Sequence, residues 1–230
     1  MSSFTVDLLI PTARFVFSVE GGCIDVSPEH RSPEAFVEYA RRRREKAVTG
    51  MATFPNSLLV RGPSSFLVDP GPRMQNAPIV RALEERGLDG GDLVFAALTH
   101  AHDDHATALA DLSLPVVVHE RETGAGHWPT LAALLAQREV RLLRGSGGEL
   151  VPGVRWALTE GHTPGSVSYA VDTPAGVVVA CGDLVGPSRR PFDDMAPEGA
   201  DAARLLDSWR RIRAWRPALI IAGHLPPFAP

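Results

Sequence analysis

The chain has 230 residues, 44% hydrophobic and 22% charged, with 27 acidic against 23 basic side chains. This is the composition of an ordinary globular protein, long enough to bury about 70% of its unfolded-chain surface, and it excludes disordered, collagen-like and coiled-coil classes. A net charge of −4 gives no global pull toward nucleic acid or anionic lipid.

No apolar run approaches the roughly 20 residues of a membrane span, and the first residues lack the basic-then-apolar pattern of a signal peptide. Two cysteines, Cys23 and Cys181, make no disulfide framework, so a cytoplasmic location is expected. The 21 glycines and 20 prolines are scattered as punctuation, which predicts one domain over residues 1–230.

In chain order, the pattern predicts strands over 4–10 and 14–20. A helix starts at Ser32-Pro33-Glu34, where a capping hydroxyl, a first-position proline and a carboxylate coincide, and runs to about Val48. This hairpin and helix, within 1–52, are expected to pack on the main body. Next comes a hairpin of 56–61 and 65–69 around Gly62-Pro63, a helix over 78–86 stopped by Gly87, and a buried strand over 93–98. Strands at 116–119, 140–143 and 154–159 accompany a helix at 129–137. A hairpin pairs 167–171 with 177–181, a helix over 201–215 puts Leu205, Leu206, Trp209 and Ile212 on one face, and 218–222 is the last strand. Hairpins interspersed with helices suggest a mixed α/β layered domain.

The segment Thr99-His100-Ala101-His102-Asp103-Asp104-His105 sets four metal-capable side chains directly after an apolar strand. At a strand end, the two-residue spacing of His100 and His102 points both the same way. Asp104 and His105 turn into the next element and address a second point, so the spacing suggests two adjacent ions. His162 lies in Glu160-Gly161-His162-Thr163-Pro164-Gly165-Ser166, Asp183 follows Cys181-Gly182, and His224 follows Ala222-Gly223. Each comes after a glycine, which admits close backbone approach to a ligand. A lone loop histidine is more often structural. Together with the first cluster these make five histidines and two aspartates, nitrogen and oxygen donors that suit zinc and also iron, manganese or cobalt.

These segments resemble, in order, the five motifs of the metallo-β-lactamase superfamily. Asp69 in Leu67-Val68-Asp69-Pro70-Gly71 is the first, the histidine cluster the second, then His162, Asp183 and His224. Asn56-Ser57-Leu58-Leu59-Val60 and Gly223-His224-Leu225-Pro226-Pro227 supply family-like framing. The resemblance implies an αββα sandwich with a dinuclear site at one edge. Carried over by position, His100, His102 and His162 would hold one ion, Asp104, His105 and His224 the other, Asp183 would bridge, and Asp69 would orient ligands. Two departures leave the ligands intact. Ala106-Thr107-Ala108 replaces a frequent pair of glycines after His105, and Leu225 replaces the usual glycine after His224.

The implied activity is that of a metal-dependent hydrolase with two divalent ions, Zn2+ first and Fe or Mn as alternatives. A bridging hydroxide would attack a small ester, lactone or thioester, with Asp104 and Asp183 as the catalytic carboxylates. The stretch from Gly161 to Ser166 resembles lactonase-like and thioesterase-like members, including glyoxalase II-like proteins. Only six residues follow His224, so the C-terminal helical domain of glyoxalase II is not expected.

A phosphodiesterase or nuclease is the alternative, raised by the arginines; a mono-iron oxygen-using enzyme is a third. The runs Arg41-Arg42-Arg43-Arg44 and Arg204, Arg210, Arg211, Arg213 read as solvated helix faces, whereas Arg189 and Arg190, soon after Asp183, are placed to meet an anionic substrate group. Ser166, Cys181, His119 and His127 read as structural, with the two histidines the candidates for a leaving-group acid. Phe54 reads as core.

Overall fold

The computed structural model describes residues 4–12, 15–19, 22–26, 48–73, 77–123, 129–185 and 202–230. The helix expected from Ser32, the arginine run at 41–44, His127, Arg189 and Arg190 lie outside the described residues.

The described residues form three sheets. The six-stranded sheet has the order β1 (Thr5–Ile10), β5 (Ser57–Arg61), β6 (Phe66–Val68), β7 (Ala96–Ala97), β8 (Val116–His119), β9 (Val140–Leu143). Its first two pairings are antiparallel and the remaining three parallel. The five-stranded sheet has the order β10 (Gly147–Val151), β11 (Val154–Leu158), β12 (Val167–Thr173), β13 (Gly176–Gly182), β14 (Leu219–Ala222), antiparallel except for the parallel β13–β14 pair. A small sheet sets β2 (Phe15–Val19) between β3 (Gly22–Val26) and β4 (Val48–Thr53). Four α-helices are described: α1 (Pro78–Glu84), α2 (Asp103–Ala106), α3 (Pro129–Leu135) and α4 (Ala202–Ala214).

The inner strands of the two large sheets, such as β5 and β6, are buried on both faces because both faces are covered. One core lies between the sheets, with Leu58, Val60, Phe66, Val68, Ala97 and Val117 from the first meeting Val167, Tyr169, Val171, Val178, Ala180 and Ile221 from the second. The alternate residues Leu59, Leu67, Ala96, Val116 and Val118 face outward and pack under Ile79, Ala82 and Leu83 of α1. On the other side Ala170, Val179, Cys181, Ile220 and Ala222 pack under Leu205 and Ile212 of α4. The result is the expected αββα sandwich. Among the described residues no helix is long and apolar enough to cross a membrane.

Three differences from the sequence pattern have local causes. The run over 93–98 narrows to the two residues of β7, because Leu93 closes a 3-10 turn over Gly90–Asp92 and Val94 lies exposed. Strand β10 carries no predicted element: Gly147 and Gly148 hide its strand character, and Gly147 is needed because a Cβ there would stand 2.9 Å from the Trp156 carbonyl oxygen. Strands β3 and β4 add two partners to the 14–20 segment, giving a three-stranded sheet where a hairpin was expected.

At one edge the sandwich is stitched across its middle. Tyr169 Oη donates to the Leu98 carbonyl at 2.8 Å, and Val167 N donates to the Thr99 carbonyl at 2.8 Å. Tyr169 is fully buried, so its hydroxyl depends on that acceptor. Tyr169→Phe should therefore lower unfolding free energy by about 1–3 kcal/mol in urea denaturation, with an unchanged m-value.

Candidate metal centre

The stitched edge is where the candidate ligands meet. Strands β6 and β7 are parallel neighbours, as are β13 and β14, so the C-terminal ends of each pair open at one edge. Asp69 follows β6, His100 and His102 follow β7, Asp183 follows β13, and His224 follows β14. The β11–β12 loop supplies His162, and α2 supplies Asp104 and His105.

All seven expected ligands converge, and they fall into two groups. His100, His102, His162 and Asp183 have potential donor atoms within 4.8 Å of one another, and so do Asp104, His105 and His224. This is the partition the resemblance implies. Asp183 reaches into both groups. Its Oδ2 lies 3.9 Å from His100 Nε2, 3.4 Å from His162 Nε2 and 3.5 Å from His224 Nε2, and its Oδ1 lies 3.4 Å from His105 Nε2. His224 Nε2 is 3.2 Å from Asp104 Oδ2.

Two glycines permit this crowding. A Cβ on Gly223 would stand 2.1 Å from Asp183 Oδ1, and one on Gly182, whose φ is +50°, would stand 2.4 Å from Thr99 Oγ1. Asn56 fixes the last loop: its backbone N donates to the Gly223 carbonyl at 2.7 Å, and its Nδ2 to the carbonyls of Ala222 and Leu225 at 2.7 and 2.6 Å.

Asp69 belongs to neither group and contacts residues that border both. Its Oδ1 accepts from Thr99 N at 2.7 Å and its Oδ2 from Thr99 Oγ1 at 2.6 Å, and Oδ2 lies 2.9 Å from His105 Nδ1. Thr99 Oγ1 is in turn 3.0 Å from His100 Nδ1. With Thr99 donating to Asp69, its oxygen accepts from His100, so both imidazoles place Nδ1–H toward this network and turn Nε2 inward. That arrangement is characteristic of histidines that bind metal through Nε2.

The donor set fits divalent cations. His100 Nε2, His105 Nε2 and Asp183 Oδ1 are buried without a hydrogen-bond partner, and buried polar atoms rarely stay unsatisfied unless a ligand completes them. Charge is divided unevenly over the cluster. Burial, reinforced by neighbouring imidazoles, pushes His100 well below its ordinary pKa, and burial likewise lowers His102 and takes His162 to about 4. Burial also opposes charge on His105 and His224, yet Asp183 and Asp69 hold His105 well above its usual value, and Asp183 with Asp104 holds His224 at about 9. On the acidic side burial pushes Asp183 up, but the facing His105 and His224 more than offset it and keep the carboxyl well below its usual range. Asp104 is brought to about 2 against its burial by its bond to His224 and the charge of His105.

Other candidates prove structural. Ser166 Oγ accepts from Thr163 N at 3.2 Å and sits 2.7 Å from Thr163 Oγ1, pinning the loop that carries His162. Cys181 faces the α4 core, and burial pushes its thiol up. His119 is buried, with Nε2 bonded to the Gly145 carbonyl at 3.0 Å and Nδ1 accepting from Arg121 N at 3.3 Å. Phe54 is buried. The arginines of α4 are engaged locally: Arg210 pairs with Asp207, Arg211 donates to the carbonyls of Ser146 and Leu158, and Arg213 lies over Trp209. Two residues with no expected role also touch these loops: Asn56, and Glu122, whose carboxylate accepts from Ala101 N and Gly165 N. Asn56 stood only as framing, and Glu122 sits in an unremarkable Glu-Arg-Glu run.

The chain belongs to the metallo-beta-lactamase superfamily, whose family model matches residues 50–224. Among curated proteins it is similar to a hydroxyacylglutathione hydrolase of Acidiphilium cryptum, 35% identical over 130 residues that make up 56% of this chain and 47% of that protein. It is also similar to an N-acyl homoserine lactonase of Bacillus cereus, 27% identical over 140 residues, 59% of this chain and 56% of that one. The matched segments thus span about half the length of these relatives. A solved metallo-beta-lactamase-type protein from Thermotoga maritima superposes with a TM-score of 0.67 at 18% identity, covering 99% of this chain and 100% of the other. An N-acyl homoserine lactone hydrolase, solved with N-hexanoyl-L-homoserine bound at its catalytic metal centre, gives 0.64 at 21% identity, covering 97% and 92%.

Because His105 and His224 carry protons that a metal ion must displace, ion binding should release protons. Zn2+ titration of chelator-treated protein at pH 7.5 is expected to liberate at least one proton per chain, with affinity rising as pH approaches the His224 value of about 9. Calorimetry in buffers of differing ionisation enthalpy measures this. Zero release would refute the protonation pattern.

Proposed function

We propose that the chain is a metal-dependent hydrolase that holds two divalent ions, Zn2+ first among them, and cleaves a small ester, lactone or thioester. One observation carries this reading: a single carboxylate, Asp183, faces four imidazole Nε2 atoms at 3.4–3.9 Å, drawn from both ligand groups. His100, His102 and His162 would hold one ion, Asp104, His105 and His224 the other, with Asp183 shared. Ions so held supply a water of lowered pKa and polarise the electrophilic oxygen of a substrate.

The chain's own residues provide orientation. Asp69 and Thr99 keep the His100 and His105 rings aimed inward. Asp104, held ionised at neutral pH, orients His224 through its Oδ2 at 3.2 Å. A nucleophile from the chain is not required, consistent with Ser166 held in its loop and Cys181 turned to the α4 core. The two curated relatives, one named for a glutathione thioester and one for a lactone, share hydrolysis of an activated acyl group, and that common chemistry supports a small acyl substrate here.

The test is a paired assay on metal-loaded protein with Asp183→Ala as blank. Lactones, aryl esters and thioesters should turn over, Asp183→Ala should fall to background, and bis(p-nitrophenyl) phosphate and single-stranded RNA should remain intact. Turnover retained in Asp183→Ala would overturn the shared-carboxylate mechanism. Turnover confined to the phosphodiesters would overturn acyl hydrolysis and turn attention to Arg189 and Arg190 as substrate contacts.

A further inference from the structure

Strand β8 ends at His119, and the chain then makes a 3-10 turn over Glu120–Glu122. The buried His119 ring fixes this turn by accepting from Arg121 N while its other nitrogen bonds the Gly145 carbonyl. From the turn, the Glu122 carboxylate spans two loops. Oε2 accepts from Ala101 N at 2.8 Å, the amide between His100 and His102. Oε1 accepts from Thr163 Oγ1 at 2.7 Å and from Gly165 N at 2.7 Å, in the loop that carries His162.

We infer that Glu122 is a positioning residue for one of the two ions, the one held by His100, His102 and His162. The inference rests on the two-ion reading above. Its selectivity comes from topology. The three histidines of this group sit on the two loops that Glu122 joins, whereas His105 of the other group is oriented by Asp69 and the loop of His224 is tied down by Asn56.

The contacts also explain why this residue is an acid. All three partners are donors, so both oxygens must accept, and charge-assisted bonds of this kind are roughly twice as strong as neutral ones. A glutamine would turn an N–H toward at least one donor. Gly165 belongs to the same device: a Cβ there would lie 2.7 Å from Glu122 Cγ and 2.8 Å from Glu122 N, pushing the His162 loop away from the turn that carries Glu122.

The experiment is a Co2+ titration of the full chain after chelator treatment, followed by visible absorption, which resolves the two ions as separate phases. His162→Ala identifies the phase belonging to its group. Glu122→Gln and Gly165→Ala, which disturb the bridge from opposite sides, should each weaken that same phase by roughly 10–100-fold, the usual scale for partners that orient metal ligands, and leave the other within about 3-fold. Thermal melting of the chelator-treated variants checks that they fold. A residue with only a structural role would lower melting and move both phases together or neither. Either pattern in the two variants, or loss of folding in both, overturns the inference while the two-ion reading stands on the wild-type titration. A wild type that takes up no Co2+ overturns both.

Discussion

The structure turns on a buried carboxylate. Asp69 is 2% exposed, and a carboxylate removed from water is tolerated only when its oxygens are fully engaged. Here they take the amide and hydroxyl of Thr99 and face the ring of His105. Those contacts join the end of β6 to the end of β7 and to α2, and they do so with Asp69 at φ +48°, a left-handed conformation that aspartate tolerates better than most residues. This knot fixes the start of the loop over 99–105 and the direction in which His100 and His105 face.

Around the knot the cluster separates into two electrostatic halves. The group of His100, His102 and His162 is held neutral by burial, ready to donate lone pairs. The other keeps protons on His105 and His224, balanced by Asp69, Asp104 and Asp183. Five imidazoles thus share a small volume without five positive charges; the rings of His100 and His105 approach to 4.1 Å between centroids. Asp183 makes the arrangement electrically possible, because it sits between the halves and answers to both.

Much of this was legible in the sequence, and what was not has a physical explanation. The residues that converge could be read because metal chemistry demands particular side chains at particular spacings, and the glycine before each loop candidate marked the close approach that Gly182 and Gly223 now show. The layered α/β character was legible in hairpins interspersed with helices, and the sandwich itself followed from the resemblance of the motifs. Strand β10 was not legible, since glycine is a poor strand former and its side chains are mostly exposed. The contacts of Glu122 and Asn56 were not legible for a different reason. Their partners lie 21, 41 and 43 residues away for the first, and 166 and 169 for the second, so no local pattern records them.

The order of the ligands along the chain has a bearing on biogenesis. His100, His102, His162 and Asp183 all precede α4, whereas His224 arrives only after β14, whose place beside β13 is a parallel pairing made across the whole of that helix. A polypeptide emerging from the ribosome therefore carries every donor of one group while the other still lacks a member. The second group is completed only by the segment that β14 brings beside β13 and that Asn56, far upstream, holds by its bond to the Ala222 carbonyl. A chain that stopped before β14 would thus keep every donor of one group and lack His224 of the other.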